Sequence, residues 1–314
     1  MTFDVGQLPG RAAELKQAGI DAAYREMTRF GAGGQGGGYS SLYAAAEKYM
    51  EGVESIYDDF LDIPAPEDFA GQVQSLASAM GKLATEGQTN DPVTNSQSVS
   101  GHNPNLSKIG SSGDLLDSWT GDAAFTYNRN FADAFEPTAS SQYAAVSVLR
   151  NAINAEAAVW AGVRDDLDRL SQDAIEVMKE AGNKGGNDWA AVLSIAAAVI
   201  AVPVTGGASA IAIPAVAAGL SIAATGISAA SGGSGPDELG LDGGSSDKVI
   251  SSLQKALTRI KEHIVTGEQE IVNAMNGSCS ALDDNWRVFC LPEPAITDAK
   301  HHPVNDQTMA GHDA

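Results

Sequence analysis

Apolar residues recur along this chain every three or four positions, the spacing that gathers them on one face of an α-helix. Residues 7–30 show it first. Leu8, Ala12, Leu15 and Ala22 share a stripe that Met27 and Phe30 extend, and Pro9 stands near the start, where a missing N–H costs nothing. The glycine run 31–38 stops this helix. With no strand before it and no Lys-Ser/Thr after it, the run reads as a linker and not as a phosphate-cradling loop. A second helix, capped by Ser40 or Ser41, is expected to reach about Leu61, with Leu42, Ala46, Tyr49, Val53 and Tyr57 inward. Pro64 and Pro66 break the chain. Residues 67–85 then make a third helix around Phe69, Val73, Leu76, Met80 and Leu83. From Gly87 to Gly113 apolar residues almost vanish, which predicts a long loop.

The longest pattern begins at Leu115, and Pro137 is expected to kink or reset it. Beyond Pro137, Val146, Leu149, Ile153, Trp160, Val163 and Leu167 start a series that runs to Ala181, with Glu156 as its one violation. The steps alternate by three and four, a heptad seam of roughly 50 Å at ~1.5 Å per residue. Arg164, Asp165, Asp168, Arg169 and Asp173 fall on the opposite face and are expected in solvent. A second seam, from Ile250 through Leu253, Leu257, Ile260 and Ile264 to Ile271 and Ala274, predicts a final helix over 247–276 that pairs with the first. After Gly277 only Trp286, Val288 and Phe289 interrupt the polar pattern, as residues able to dock locally.

Between the seams, residues 189–236 hold no charge. Trp189–Val202 and Ala208–Ala230, parted by Pro203 and Gly206-Gly207, read as an apolar helical hairpin. Ala215, Gly219 and Ala223 recur every four residues, a ridge over which helices touch backbone to backbone. Two readings stay open: a hairpin buried inside the bundle, or one that enters a membrane, marked by Trp189, Gly206, Gly207 and Gly219. The acidic stretch 231–247 lacks the ligand spacing of a calcium loop and reads as a linker. No pair of alternating strands stands out. The expected fold is all-α, an elongated helical bundle with long antiparallel heptad helices and an apolar helical hairpin. Its segments are N-terminal helices with a glycine-rich linker (1–63), a helical hairpin (64–186), the apolar hairpin (187–236), the C-terminal heptad helix (237–278) and a tail (279–314).

Charge narrows the partners. The 314 residues carry 19 Lys and Arg against 40 Asp and Glu, a net charge of -21. Nucleic acid rewards cations at phosphates, so no nucleic-acid partner is expected, and anionic lipid would not attract the chain by charge alone. The two cysteines, Cys279 and Cys290, lie close in sequence without histidines at finger-like spacing, leaving free thiols or a local disulfide as alternatives. The N-terminus lacks a basic segment followed by an apolar one, so no classical secretory signal is expected. G-x-S-x-G, H-E-x-x-H, Walker and paired Cys-x-x-Cys motifs are missing. The histidines, His102, His263, His301, His302 and His312, read as surface residues, and no two carboxylates single themselves out for one substrate. A non-enzymatic protein without metal or cofactor is the expectation.

One motif goes further. Trp119-Thr120-Gly121 precedes Asp122-Ala-Ala-Phe125, then Phe131 and the heptad helix. In a hairpin, Gly would permit the tight turn and Trp would cover the end of the core. Over residues 65–182 the chain resembles the WxG (ESAT-like) family of type VII secretion substrates, of an extended actinobacterial type. Trp160-Ala-Gly162 repeats the letters but lies in the seam and reads as core. The resemblance implies a helical hairpin, often dimeric, exported without a classical signal peptide, with secretion machinery or a homologous helical chain as partner. Family members carry a Y-x-x-x-D/E signal after the hairpin; here Tyr43 and Glu47 match those letters but precede it. The alternatives are a pore-forming, membrane-active α-helical toxin and a cytoplasmic coiled-coil scaffold.

Overall fold

In a computed structural model the described residues are 3–29, 39–85, 90–94, 102–110, 112, 120–181, 190–195 and 237–291, and nearly all regular structure among them is helical. The chain is all-α in class. It packs as two units. The described part of the first is 3–68, 156–195 and 237–269, and that of the second is 69–155 and 270–291. The glycine run 31–38 and residues 196–236 lie outside the described residues.

The first unit begins with a short 3-10 turn, Val5–Gln7, capped by the Asp4 carboxylate on the Gly6 N–H at 2.9 Å. Helix α1, Leu8–Arg29, follows, and its stripe is buried as its spacing requires: Leu8, Ala12, Leu15 and Ala22 are almost fully covered. Helix α2, Tyr39–Tyr49, is shorter than the periodicity suggests. Gly52 adopts φ +89°, a left-handed conformation that ends the helix, and two 3-10 turns, Val53–Ser55 and Asp58–Phe60, carry the pattern onward. Val53 and Tyr57 still reach the core, because a 3-10 turn of three residues preserves nearly the same inward spacing, and Met50 and Phe60 join them, whereas Tyr49, expected inward, is 50% exposed.

A 3-10 turn, Pro66–Phe69, leads into α3, Ala70–Leu83, which belongs to the second unit. Met80 and Ala84 pack with Tyr143 as a small core that Leu83 and Val146 extend. The stretch expected to be a loop contains a helix, α4, Pro104–Gly110. Its signal was present: Asn103 accepts the Asn105 N–H on Oδ1 at 3.1 Å as an N-cap, and Pro104 takes the first helical position.

Helix α5, Asp122–Tyr127, widens into a π-turn, Asn128–Ala132, and continues as α6, Asp133–Glu180. Pro137 lies inside α6 without ending it. Proline removes the bond to the carbonyl four residues back, at Asp133, which directly follows the π-turn. The irregularity therefore sits one turn before the proline. Part of the seam is buried as expected, with Val163, Leu167, Leu170, Ala174 and Val177 in the core of the first unit, whereas Leu149 in the second unit is 41% exposed.

Strands appear where none were expected. β1, Ala190–Ile195, pairs antiparallel with β2, Asp237–Asp242, in the register Ala190↔Asp242 to Ile195↔Asp237. A continuous apolar run such as 190–195 does not distinguish strand from helix by periodicity. Leu239 and Leu241 do alternate, and Leu241 is buried. Helix α7, Ser246–Asp284, then runs past Gly277, which costs only about 1 kcal/mol inside a helix. Its Leu253, Leu257 and Ile260 are buried in the first unit.

Candidate functional site

The tryptophan-glycine turn is the first candidate. Trp119 lies outside the described residues. Gly121 is described and holds φ +101° with ψ 178°, a conformation a side chain rarely tolerates, immediately before α5. Its carbonyl accepts the Phe125 N–H at 3.0 Å and starts the helix. Phe125 itself is 65% exposed. Behind it Tyr127, Phe131 and Phe135 form an aromatic ladder with centroids 5.3 and 6.2 Å apart, bringing three rings onto one face through the π-turn. The turn is thus followed by one bare ring and then by a row of tilted rings in contact.

The candidate export signal belongs to the first unit. Tyr43 and Glu47 stand one turn apart on α2. Tyr43 is half-buried; its ring lies 5.9 Å from that of Tyr24 and its hydroxyl accepts Gln17 Nε2 at 3.1 Å. Glu47 is exposed. The arrangement leaves a carboxylate in solvent beside an anchored ring. Trp189, Gly206, Gly207 and Gly219 all lie outside the described residues. Among the described residues no helix is long and apolar enough to cross a membrane.

Cys279 and Cys290 are free and exposed, so the local disulfide is not formed here. Cys279 lies on α7, which continues to Asp284 before the 3-10 turn Trp286–Phe289 reaches Cys290. Among the described residues no group of three His, Cys, Asp or Glu could hold a metal ion.

The polar side chains that shape the interior were not found from the sequence. Arg164, assigned to solvent by its charge, is buried. Its guanidinium donates to the carbonyls of Phe3, Ile63 and Pro64 at 3.0, 2.9 and 3.0 Å, and so ties the N-terminus and the proline break to α6. Asp168 is half-buried and pairs with Arg11 at 2.6 Å. In the second unit Asp91 is fully buried. It accepts Ser147 Oγ at 2.7 Å, Arg150 Nη1 at 3.2 Å and the N–H groups of Val93 and Thr94. Two polar residues one turn apart, Ser147 and Asn151, were the available signal, and the seam pattern passes over them.

Two hollows lie among the described residues. A cleft of about 510 Å3 in the first unit is lined by Tyr49, Val53, Phe60, Asp247, Gln254 and Lys261. The Tyr49 hydroxyl is pushed up by partial burial and then by its hydrogen bond to Asp247, while Lys261 sits over the Phe60 ring at 5.5 Å and pairs with Asp59. The second unit has a hollow of about 340 Å3 among Leu83, Leu106, Phe135, Ala139, Phe289 and Leu291. Gln142 Nε2 donates to the Phe289 carbonyl at 2.8 Å at its side, so the tail does dock locally through Phe289. The second hollow is lined mainly by apolar side chains, which suits contact with another chain.

No family model, curated protein or solved structure matches this chain.

Proposed function

We propose that this chain is a non-enzymatic helical protein of type VII secretion, exported or held at the exporter, acting through contacts with other proteins. The observation that carries the reading is Gly121 at φ +101°: the third position of the W-x-G letters occupies a backbone state that favours glycine, directly before a helix bearing the exposed Phe125. Sequence supplies the remaining support, in the alanines after the turn and the heptad helix beyond it. Secretion machinery or a homologous helical chain is the partner this reading names.

Fractionation of producing cells into medium, membrane and cytosol tests it, comparing the wild type with Gly121→Ala and Trp119→Ala. The wild type is expected in the medium with its N-terminus uncleaved, and the variants are expected to stay inside while keeping a helical circular-dichroism spectrum. A wild type confined to the cytosol, or folded variants exported normally, would overturn the proposal. A second reading rests on the charge-free residues 189–236, which suit membrane insertion. Dye release from liposomes supports it; intact liposomes at neutral and acidic pH remove it.

A further inference from the structure

The C-terminal part of α7 carries a second periodic face. Val272, Met275, Cys279 and Leu282 follow one another on α7 by three, four and three residues, and Trp286 stands just beyond, in the 3-10 turn that follows the helix. Val272 is 49% and Trp286 58% exposed, Cys279 is exposed, and Met275 and Leu282 are half-buried. The face lies beside the ridge that packs inward, where Ile271 and Ser278 are buried. A 3-4 repeat of uncharged side chains, partly exposed, has the spacing of a coiled-coil seam. Residues 271–282 bear no charge at all, in a chain whose net charge is -21. Two equally acidic chains can approach each other most readily across such a stretch.

We propose that this face pairs with the same face of a second copy, antiparallel about a two-fold axis between Ser280 and Ala281. Antiparallel pairing sets Cys279 against the second copy's Leu282 and brings Met275 to the 3-10 turn that bears its Trp286, and symmetry repeats both contacts. Sulfur against an aromatic ring and a small thiol against leucine fill the layers evenly. Charge selects the direction. Parallel pairing sets Asp283 and Asp284 beside their own copies. The antiparallel register places them opposite Ser278 and Gly277, and it turns the 3-10 segment that bears Arg287 toward the end of the face where the second copy's Glu270 lies. The Arg287 guanidinium already lies 5.7 Å from the Trp286 ring, at the rim of the face. This pairing does not depend on the export reading.

The test is light scattering on the full chain at rising concentration, with cross-linking by a short bis-maleimide that adds one thiol to each ring. The expected mass is twice the 32.3 kDa of one chain. Cross-linking is expected through Cys279, so that Cys290→Ser is still linked and Cys279→Ser is not. Val272→Asp and Trp286→Ser, both at exposed positions, are expected to give monomers with unchanged helical spectra. Glu270→Arg should weaken the dimer several-fold, and adding Arg287→Glu should restore it. A monomeric mass throughout, linking through Cys290 alone, or a folded Val272→Asp dimer would overturn the pairing. A dimer in which the charge exchange rescues nothing would overturn its antiparallel direction.

Discussion

Arg164 carries more of the architecture than any single apolar residue in its helix. A guanidinium has five donors in a rigid fork, and here three carbonyls from two separated stretches of backbone receive them. Arg164→Met keeps the length and apolar stem but strands those carbonyls. It should destabilise the first unit by about 3 kcal/mol, the scale for breaking a buried charge-assisted cluster. Urea denaturation checks this as a lower midpoint at unchanged slope. Arg164→Lys should recover only part of the loss, since a point charge cannot serve three acceptors at fork geometry. Heptad spacing marks position 164 as off the seam, and its charge then argues for solvent. What reverses that conclusion is the arrival of Phe3 and the Ile63–Pro64 break over the same face, which no local pattern contains.

At the scale of elements, Glu156 explains its own exception in the seam. Its Oε1 accepts the Trp160 indole N–H at 2.8 Å, so the polar intrusion satisfies a buried donor one turn away. The same carboxylate faces Glu268 of α7. Burial first, and then the Glu156 charge, raise the Glu268 carboxyl above its ordinary value of 4.5. The folded chain therefore holds this proton more tightly than the unfolded chain does. The resulting stabilisation is fully present below pH 4.5 and is lost as pH rises through the raised value. Glu268→Gln should raise stability at pH 7 and flatten the pH dependence above 4.5, read from melting curves across a pH series.

Helices α1, α3 and the two long seams were legible because amphipathic spacing over many turns leaves little competing interpretation. Helix α2 was overextended because 3-10 turns continue almost the same inward spacing, and only Gly52 marks the break. α4 was missed because seven residues are too few for a stripe, although Asn103-Pro104 announced its start. For the candidate site, the glycine of the turn was legible as a conformational demand. The Asp91 cluster and the Arg164 clamp required long-range contacts.

At the scale of the whole molecule, charge dominates. A net charge of -21 over 314 residues opposes folding by self-repulsion, and few of the exposed ion pairs, such as Lys179–Glu14 at 2.8 Å, offset much of it. Salt screens such repulsion over a Debye length of about 8 Å at physiological ionic strength. The apparent melting temperature should therefore climb as sodium chloride is raised from low to physiological concentration, measurable by differential scanning calorimetry. A fall would mean that attractive pairs outweigh the repulsion.

The short ladder has a topological consequence. Ile195 and Asp237 are paired across β1 and β2, so the charge-free sequence between them leaves and returns through one point. Paired backbones lie only about 5 Å apart, so both ends stay on the same side of any barrier while the ladder holds. A single crossing first requires the ladder to come undone.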